Sequence, residues 1–457
     1  MQNSTKFVLA ITTSLITGAI LGGLTGKFFP LQKEAPTKNP IEESKTGSSN
    51  SAGTSFVTTV TTEGIGEILL QVNLPESARY KEGAPIIVNV PTFYTPEISG
   101  FHPLDGITDA GGISLSLMYP GRSDGNGNSS DGTDDFGGSD SIKALRDTIL
   151  FAMGEKNNSE GLSLKELSAI EPLYSNVGIY AFSHPGIAAT AVLGSYPEEL
   201  KNVAFYVGRE NPTIDLLSTL ELGHWNVEGK TKVADPNPLY NYPEDYSSTK
   251  ISIDYSSVNY DQSGGAPYFD TNNNDKLDTD EFSLGIQVPT MFGKRFYSRN
   301  LLHALEDNGA LTASDWPSDL ATPADADTIW PDRETLPYYS KISSTLHVML
   351  VFAAKSHVQV SEDQPSVHQT YDGFSGEDIW IRLNPDSKYV DEFSEADSKK
   401  YVEHDANSEP SDWADVSKDW AYGSGAYSAV VPLAAVFEMA DRSYKDNWNA
   451  DLSSIIK

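Results

Sequence analysis

The chain lacks cysteine altogether, which excludes disulfides and thiolate metal sites. It is also poor in positive charge: 32 Lys and Arg stand against 64 Asp and Glu, for a formal net charge of -32 at pH 7. A negative field of that size repels nucleic acid and anionic membrane surfaces. We therefore expect no nucleic-acid partner, and membrane contact only through an N-terminal segment.

Long apolar runs are scarce as well, and the most prominent one lies near the N-terminus. Phe7 to Leu24 is rich in Ile, Leu, Ala and Gly, and no A-x-A cleavage site follows it. Its length is close to the minimum for crossing a bilayer. Residues 1–30 are therefore predicted to be a signal peptide or an uncleaved membrane anchor, with the rest of the chain extracellular or at the cell surface. Residues 31–53 carry almost no large apolar side chains and are predicted to be a disordered linker.

Strand and helix patterns alternate in the next part of the sequence. Residues 54–62 and 66–74 are β-rich runs that predict a hairpin, and residues 84–90 form an apolar run typical of a strand buried on both faces. Further strands are predicted at 113–118, 177–182, 202–207, 345–352 and 379–383, and helices at 140–154 behind Ser139 or Asp140 as cap, from 187, and at 427–442. This alternation predicts an α/β fold with a mostly parallel sheet flanked by helices.

The alternation is interrupted for about 130 residues after residue 207, which is too long for a loop in a compact domain. That interval is rich in Tyr, Asp, Pro and Asn. We interpret residues 212–343 as an inserted cap domain. The core is then expected in two parts, residues 54–211 and 344–457.

A short apolar strand, Val177 to Phe182, leads directly into Ser183. Small residues follow it, including Gly186 and Ala188, and a helix is expected to begin there. A nucleophile elbow needs such small residues, because the strand and the helix pass within contact distance. The pattern therefore predicts that Ser183 is a nucleophile lifted clear of its strand and exposed to a substrate.

With this motif the chain resembles the α/β-hydrolase superfamily, most closely the X-prolyl dipeptidyl aminopeptidases and cocaine-esterase-like acyl hydrolases. Their elbow is G-x-S-Y-x-G, and Ser183 to Gly186 fits its spacing with Ala181 for the first glycine and His184 for the tyrosine. The resemblance implies the α/β-hydrolase fold with an inserted cap. It also implies an oxyanion hole formed by the backbone N–H of His184 and, after a strand that ends in Val90-Pro91, by the phenol of Tyr94.

The base and the acid of the triad are harder to place. A triad histidine follows the last strand in chain order, which selects His404. The family acid precedes His-Val, but here Ser356 occupies that place. Two acids remain open: Glu210, just after a strand, and Asp363, farther along the loop that contains Ser356. The missing carboxylate leaves a second interpretation, an inactive hydrolase-fold surface protein with a binding or structural role.

Residues 270–281 match the twelve-residue calcium loop of EF-hands. The expected ligands are Asp270, Asn272, Asn274, Lys276 through its carbonyl, Asp278 and Glu281. Asp275 stands where glycine is usual and is expected to take a left-handed turn. The flanks are not helical on both sides, so we predict a structural Ca²⁺ site that stabilises the cap. A second stretch from Asp124 begins in the same way but has Asp131 at the apolar position, and we interpret it as a solvated loop.

Together these patterns predict an exported serine hydrolase that cleaves a small-molecule ester or a peptide through an acyl-enzyme. Ca²⁺ is the only cofactor expected. The substrate itself is not readable from the sequence, because the cap shapes the pocket in such folds and the fold does not fix the function.

Overall fold

The computed structural model describes residues 50–94, 100–101, 103–125, 127–213, 221–222, 237–241, 244–286, 288–352, 365–376, 379–393 and 430–448. The predicted N-terminal segment and nearly all of the predicted linker lie outside these residues, as do His404 and Asp363. Within the described ranges, no helix combines the length and the apolar character needed to cross a membrane.

The first half of the chain alternates strands and helices. In chain order its elements are β1 Ser55–Thr62, β2 Gly66–Asn73, β3 Ala84–Val90, β4 Ile113–Leu117, α1 Ser139–Ala152, α2 Leu164–Leu167, β5 Pro172–Phe182, α3 Pro185–Ser195 and β6 Phe205–Arg209. The hairpin predicted at residues 54–74 is confirmed as β1 and β2, which pair antiparallel. Every residue of β3 and β4 is buried, because both faces of the sheet are covered there.

The segment between residues 212 and 343 forms small elements of its own. These are β7 Tyr246–Ser247, β8 Lys250–Ile251, β9 Val258–Asp261, β10 Ala266–Phe269, β11 Thr290–Met291, β12 Lys294–Arg295, α4 Arg299–Asp307, α5 Pro323–Ile329, the 3₁₀ helix Trp330–Arg333 and α6 Leu336–Tyr339. Where the structure describes this segment, its strands pair locally as three two-stranded sheets and do not join the central sheet. The boundaries of a separate cap domain stay a prediction.

The chain then returns to the central sheet. The remaining elements are β13 His347–Val351, α7 Pro365–Ser375, β14 Trp380–Leu383, α8 Ser387–Phe393 and α9 Val430–Lys445. The described part of the last helix, Val430–Lys445, ends three residues later than predicted. Pro432 lies in the first turn of that range, where a missing N–H costs no helical hydrogen bond.

In the part of the chain that the structure describes, eight strands form the central sheet in the order β1-β2-β4-β3-β5-β6-β13-β14. β2 runs antiparallel to both neighbours, and every pair from β4 to β14 is parallel. The carboxyl ends of β3, β5, β6, β13 and β14 therefore lie at one edge of the sheet. The predicted α/β class with a mostly parallel sheet is confirmed.

Helices cover both faces of the sheet. α1 and α3 bury Ile142, Leu145 and Ala189 in one apolar cluster with β3 and β5, while α9 buries Val436 and Phe437 in a second cluster on the opposite face. Burial of these side chains supplies the main free energy that holds the layers together.

The start of α1 differs from the prediction. The helix begins at Ser139 with Gly138 as cap, and neither Ser139 nor Asp140 caps it with its side chain. Instead, the Asp135 carboxylate accepts the backbone N–H groups of Gly138, Asp140 and Ser141, at 3.2, 2.7 and 3.3 Å. A carboxylate three residues upstream of the cap thus satisfies the free N–H groups of the first turn.

Candidate active site

Ser183 occupies the sharp turn between β5 and α3. Its φ is 63°, a left-handed conformation that non-glycine residues adopt only when the surroundings enforce it. The Ser183 N–H donates to the Arg209 carbonyl at 2.8 Å, and the Ser183 carbonyl accepts the Gly186 N–H at 2.9 Å. This is the geometry of a strained strand-to-helix turn that presents a serine.

The exposure of Ser183 differs from the expectation. The residue is only 6% exposed, so it is not the open serine that the motif predicted. Helix α3, which starts at Pro185 and not at Ile187, is buried from Pro185 to Gly194. The turn is therefore enclosed on its helical side by the core.

His184 and Tyr94, the two predicted oxyanion donors, lie next to each other. Tyr94 follows β3 at the carboxyl edge of the sheet and is 2% exposed. Its ring meets the His184 ring edge to face, with the centroids 4.6 Å apart. The Trp330 ring, from the inserted segment, also packs against the Tyr94 ring, with the centroids 6.3 Å apart. The inserted segment thus contributes an aromatic wall beside the serine turn.

Glu210, one of the two predicted acids, follows β6 directly. The strand extends to Arg209, two residues beyond its predicted end, so Glu210 stands at the carboxyl edge beside the Ser183 turn. It is 2% exposed and has a φ of 47°, and its N–H donates to the Val351 carbonyl at 2.9 Å. The structure thus places Glu210 at the same edge of the sheet as the serine turn.

Arg209 adds a buried positive charge at the same edge. Its guanidinium carbon lies 4.4 Å from the centroid of the Phe182 ring. In the part of the chain that the structure describes, the Arg209 Nη2 is buried and has no hydrogen-bond partner. Phe182, which precedes Ser183, is thus in direct contact with Arg209, which precedes Glu210.

The described histidines other than His184 lie on β13, on α7 and in the inserted segment. His347 begins β13, at the opposite edge from Ser183, and stacks on Trp448 at 3.4 Å. His303 on α4 contacts the Asp327 carboxylate at 3.0 Å. His368 on α7 lies 5.7 Å from the Tyr246 ring, and burial lowers its pKa to about 4. His404 and Asp363 lie outside the described residues, so the predicted base stays a prediction.

Asn211 was not predicted, but its side chain makes hydrogen bonds to the serine turn. Its Nδ2 donates to the carbonyls of Ser183, Ala181 and Arg209, at 2.8, 3.1 and 3.1 Å. Its Oδ1 accepts the Tyr206 phenol O–H at 2.8 Å. The sequence signal was indirect, because Gly186, which makes room for Asn211, predicted close packing but not what fills the space.

The predicted calcium loop, residues 270–281, connects β10 to a short return segment. Asp270 is buried, and its carboxylate accepts the N–H groups of Asn274 and Asp275 at 3.1 and 2.9 Å. Asp275 has a φ of 56°, the left-handed turn that its position in the loop requires. Glu281 accepts the N–H groups of Thr271 and Asp278 at 2.9 and 3.0 Å.

The predicted ligand side chains of this loop bond to one another. The Asp278 Oδ2 accepts both side-chain amides, from Asn272 at 2.9 Å and from Asn274 at 2.7 Å. Among the described residues, no three Asp, Glu or His side chains form a group that could hold a metal ion. The amide oxygens of the two asparagines would therefore have to turn inward to complete a Ca²⁺ site.

No protein-family model matches the chain, and no curated protein matches it in sequence. Solved structures that resemble it include dipeptidyl peptidase 4 of Porphyromonas gingivalis, at 9% identity and a TM-score of 0.34, covering 73% of this chain and 31% of that one. Prolyl oligopeptidase B of Galerina marginata matches at 10% identity and a TM-score of 0.36, covering 79% of this chain and 35% of that one. The acylaminoacyl peptidase of Pyrococcus horikoshii matches at 10% identity and a TM-score of 0.36, covering 72% of this chain and 36% of that one. The chain spans about a third of the length of these structures.

The fold rests on the chain's own geometry. The sheet order has a single antiparallel strand, β2, within the described residues, and the serine turn sits at the carboxyl end of β5 with a left-handed φ. Helices cover both faces of the sheet, and a long insertion follows β6. The chain therefore has the α/β-hydrolase fold.

Proposed function

We propose that the chain is an exported serine hydrolase that cleaves an ester or peptide bond through an acyl-enzyme on Ser183. The observation that carries the proposal is the left-handed φ of 63° at Ser183, between a strand and a buried helix. A non-glycine residue in that conformation costs about 1–3 kcal/mol, and such strain clusters at active sites. Export rests on the apolar run from Phe7 to Leu24.

In the proposed reaction the Ser183 hydroxyl attacks the substrate carbonyl carbon while His404 takes its proton. Glu210 or Asp363 would orient His404 and stabilise the imidazolium. The Ser183 N–H already donates to the Arg209 carbonyl, so the oxyanion donors must come from elsewhere. The His184 N–H and the Tyr94 phenol are the proposed donors. The leaving group departs with the proton, and water then hydrolyses the acyl-enzyme with His404 as base.

A fluorophosphonate probe tests the proposal, because it reacts with activated serines. We expect the full chain to be labelled, Ser183→Ala to lose the label, and Ser195→Ala at the far end of α3 to keep it. A folded wild-type chain that stays unlabelled would reject the enzyme and favour the non-catalytic interpretation. Label that persists in Ser183→Ala would place the nucleophile elsewhere.

The same assay identifies the acid. His404→Gln is expected to slow labelling by about 100-fold or more, since the base is lost. Of Glu210→Gln and Asp363→Asn, the variant that removes the true acid is expected to show a comparable loss, and the other variant a change of less than about threefold. Equal rates in all three variants and the wild type would reject a triad built on His404.

We further propose that residues 270–281 bind Ca²⁺ and stabilise the inserted segment. Support comes from the spacing of oxygen donors, from the left-handed Asp275 and from the buried Asp270. Chelation is expected to lower the Tm of the wild type, and Asp270→Ala is expected to abolish that shift, because a ligand bound only to the folded state stabilises it.

Asp124→Ala is the matched control for the calcium proposal. Asp124 also begins an Asx-type loop, accepting the Asn128 N–H at 3.1 Å, but its stretch lacks the apolar residue of the calcium pattern. This variant is expected to keep the full chelator-dependent shift. No shift in the wild type, or an undiminished shift in Asp270→Ala, would remove the site.

A further inference from the structure

We propose that Asn211 is a positioning residue that holds Ser183 in its left-handed conformation; the inference rests on the proposed role of Ser183 as nucleophile. Asn211 lies two residues beyond β6 and is 4% exposed. Its side chain donates hydrogen bonds to the carbonyls of Ala181 and Ser183 and to that of Arg209 at the end of β6. One side chain thus joins the carboxyl ends of β5 and β6 at the turn.

The orientation of the Asn211 amide is fixed by its partners. Three backbone carbonyls surround Nδ2, and carbonyl oxygens only accept hydrogen bonds, so the NH₂ group must face them. Burial raises the pKa of Tyr206 well above its usual value, so the phenol stays protonated and donates to Oδ1. Both ends of the amide are therefore used.

The surrounding chain leaves room for this side chain only because two of its neighbours are glycines. A Cβ at Gly186 would lie 2.2 Å from the Asn211 Cγ, and a Cβ at Gly208 would lie 2.3 Å from its Oδ1. Real Cβ atoms do not approach so closely, so both positions must be glycine while Asn211 keeps its place. The small residues around the elbow thus accommodate Asn211 as well as the helix.

The mechanical consequence concerns the Ser183 carbonyl. It accepts the Asn211 Nδ2 at 2.8 Å and the Gly186 N–H at 2.9 Å. Because the carbonyl orientation follows ψ of Ser183, these two bonds fix the peptide plane that leads into α3. Loss of the Asn211 bond removes one of these two restraints, and the strained turn is then freer to relax.

The absence of cysteine allows a test that does not depend on catalysis. Ser183→Cys introduces the single thiol of the chain, and the pKa of that thiol reports its setting at the start of α3. The pKa is measured from the pH dependence of modification by iodoacetamide, in the full chain. The thiol pKa is compared between Ser183→Cys alone and the double variants that combine it with Asn211→Ala, Asn211→Asp or Tyr206→Phe. The Tm of each variant is measured as well.

We expect Asn211→Ala and Asn211→Asp to change the apparent thiol pKa by about half a unit or more, equivalent to roughly a threefold change in the ratio of thiolate to thiol. Tyr206→Phe removes a hydrogen bond to Asn211 but none to the turn, so its thiol pKa is expected to stay within about 0.2 units even where its Tm falls. A thiol pKa that is the same in the Asn211 variants as in Ser183→Cys alone would overturn the inference. So would an equal change in Tyr206→Phe, which would indicate general loosening.

The fluorophosphonate rate separates this inference from the proposed function. On the natural Ser183 background, Asn211→Ala is expected to slow labelling by about tenfold, and Tyr206→Phe by less than about threefold. If the wild type is unlabelled but the thiol pKa of the Ser183→Cys variant depends on Asn211, the enzyme proposal fails and the positioning role stands. If the wild type is labelled and Asn211→Ala changes neither readout, the positioning role alone fails.

Discussion

The left-handed serine is the residue on which both the fold and the proposed chemistry depend. Its φ of 63° is enforced by a buried helix on one side and by hydrogen bonds to Arg209 and Asn211 on the other. A non-glycine residue in this region costs about 1–3 kcal/mol, because its Cβ crowds the following carbonyl. The free energy of that strain is supplied by the packing around the turn.

The strain can be measured by comparing two substitutions that both remove the hydroxyl. Ser183→Gly is expected to be more stable than Ser183→Ala by about 1 kcal/mol, because glycine has no Cβ to crowd the carbonyl. Denaturant unfolding of the two variants gives the difference. Within α3, Ala189→Gly is the control and is expected to have the opposite sign, a loss of about 1 kcal/mol. Ser183→Ala as stable as Ser183→Gly would mean that the turn is not strained.

Sequence reasoning identified this turn but not the residue that supports it. The apolar strand before Ser183 and the small residues after it can be recognised from local periodicity and side-chain size, which the sequence gives directly. Asn211 is 28 residues away and acts through tertiary hydrogen bonds, for which a single sequence carries no pattern. The low exposure of Ser183 was missed for the same reason, since it depends on what packs over the turn.

At the scale of elements, strands were predicted better than their ends. The buried runs of β3 and β5 specify strands through hydrophobicity alone, whereas β6 was placed two to three residues early because Gly208 and Arg209 are not apolar. Arg209 is accommodated by the Phe182 ring. The cap of α1 was misplaced because Asp135 reaches the helix across a turn. Tertiary partners thus decide the boundaries.

A buried ionic cluster links α9 to Arg382 of β14. The Glu438 carboxylate accepts hydrogen bonds from Arg382 Nη1 at 2.6 Å, from Arg442 Nε at 2.9 Å and from the Asp386 N–H at 2.7 Å. The side chains of Glu438, Arg382 and Arg442 are all buried. Two guanidinium groups share one carboxylate. If that carboxylate is removed, both arginines stay buried in a low-dielectric environment without their anionic partner, which is costly.

Glu438→Gln is therefore expected to destabilise the protein by about 3–5 kcal/mol, measured by denaturant unfolding. Glu392→Gln is the matched control, because Glu392 also pairs with an arginine, Arg79 at 3.0 Å, but its side chain is 41% exposed. That control is expected to cost less than about 1 kcal/mol. Similar losses in the two variants would show that burial does not set the strength of these pairs.

For the whole molecule, the dominant physical property is the charge of -32. Like charges held close together in a folded chain repel, and the repulsion is relieved when the chain unfolds and the charges move apart. Local ion pairs offset part of this, but 64 acidic residues cannot all be paired by 32 basic ones. The folded state is thus expected to depend on ionic strength, independently of any bound calcium.

Salt screens such repulsion over a Debye length of about 10 Å at 0.1 M and about 3 Å at 1 M. With chelator present throughout, so that calcium binding does not contribute, the Tm is expected to rise by about 2 °C or more between low salt and about 0.5 M NaCl. The rise should level off at higher concentration, since screening saturates once the Debye length is shorter than the spacing of surface charges. A Tm that is flat or falls over this range would show that self-repulsion does not limit stability, and a rise that continues linearly would indicate solute exclusion instead.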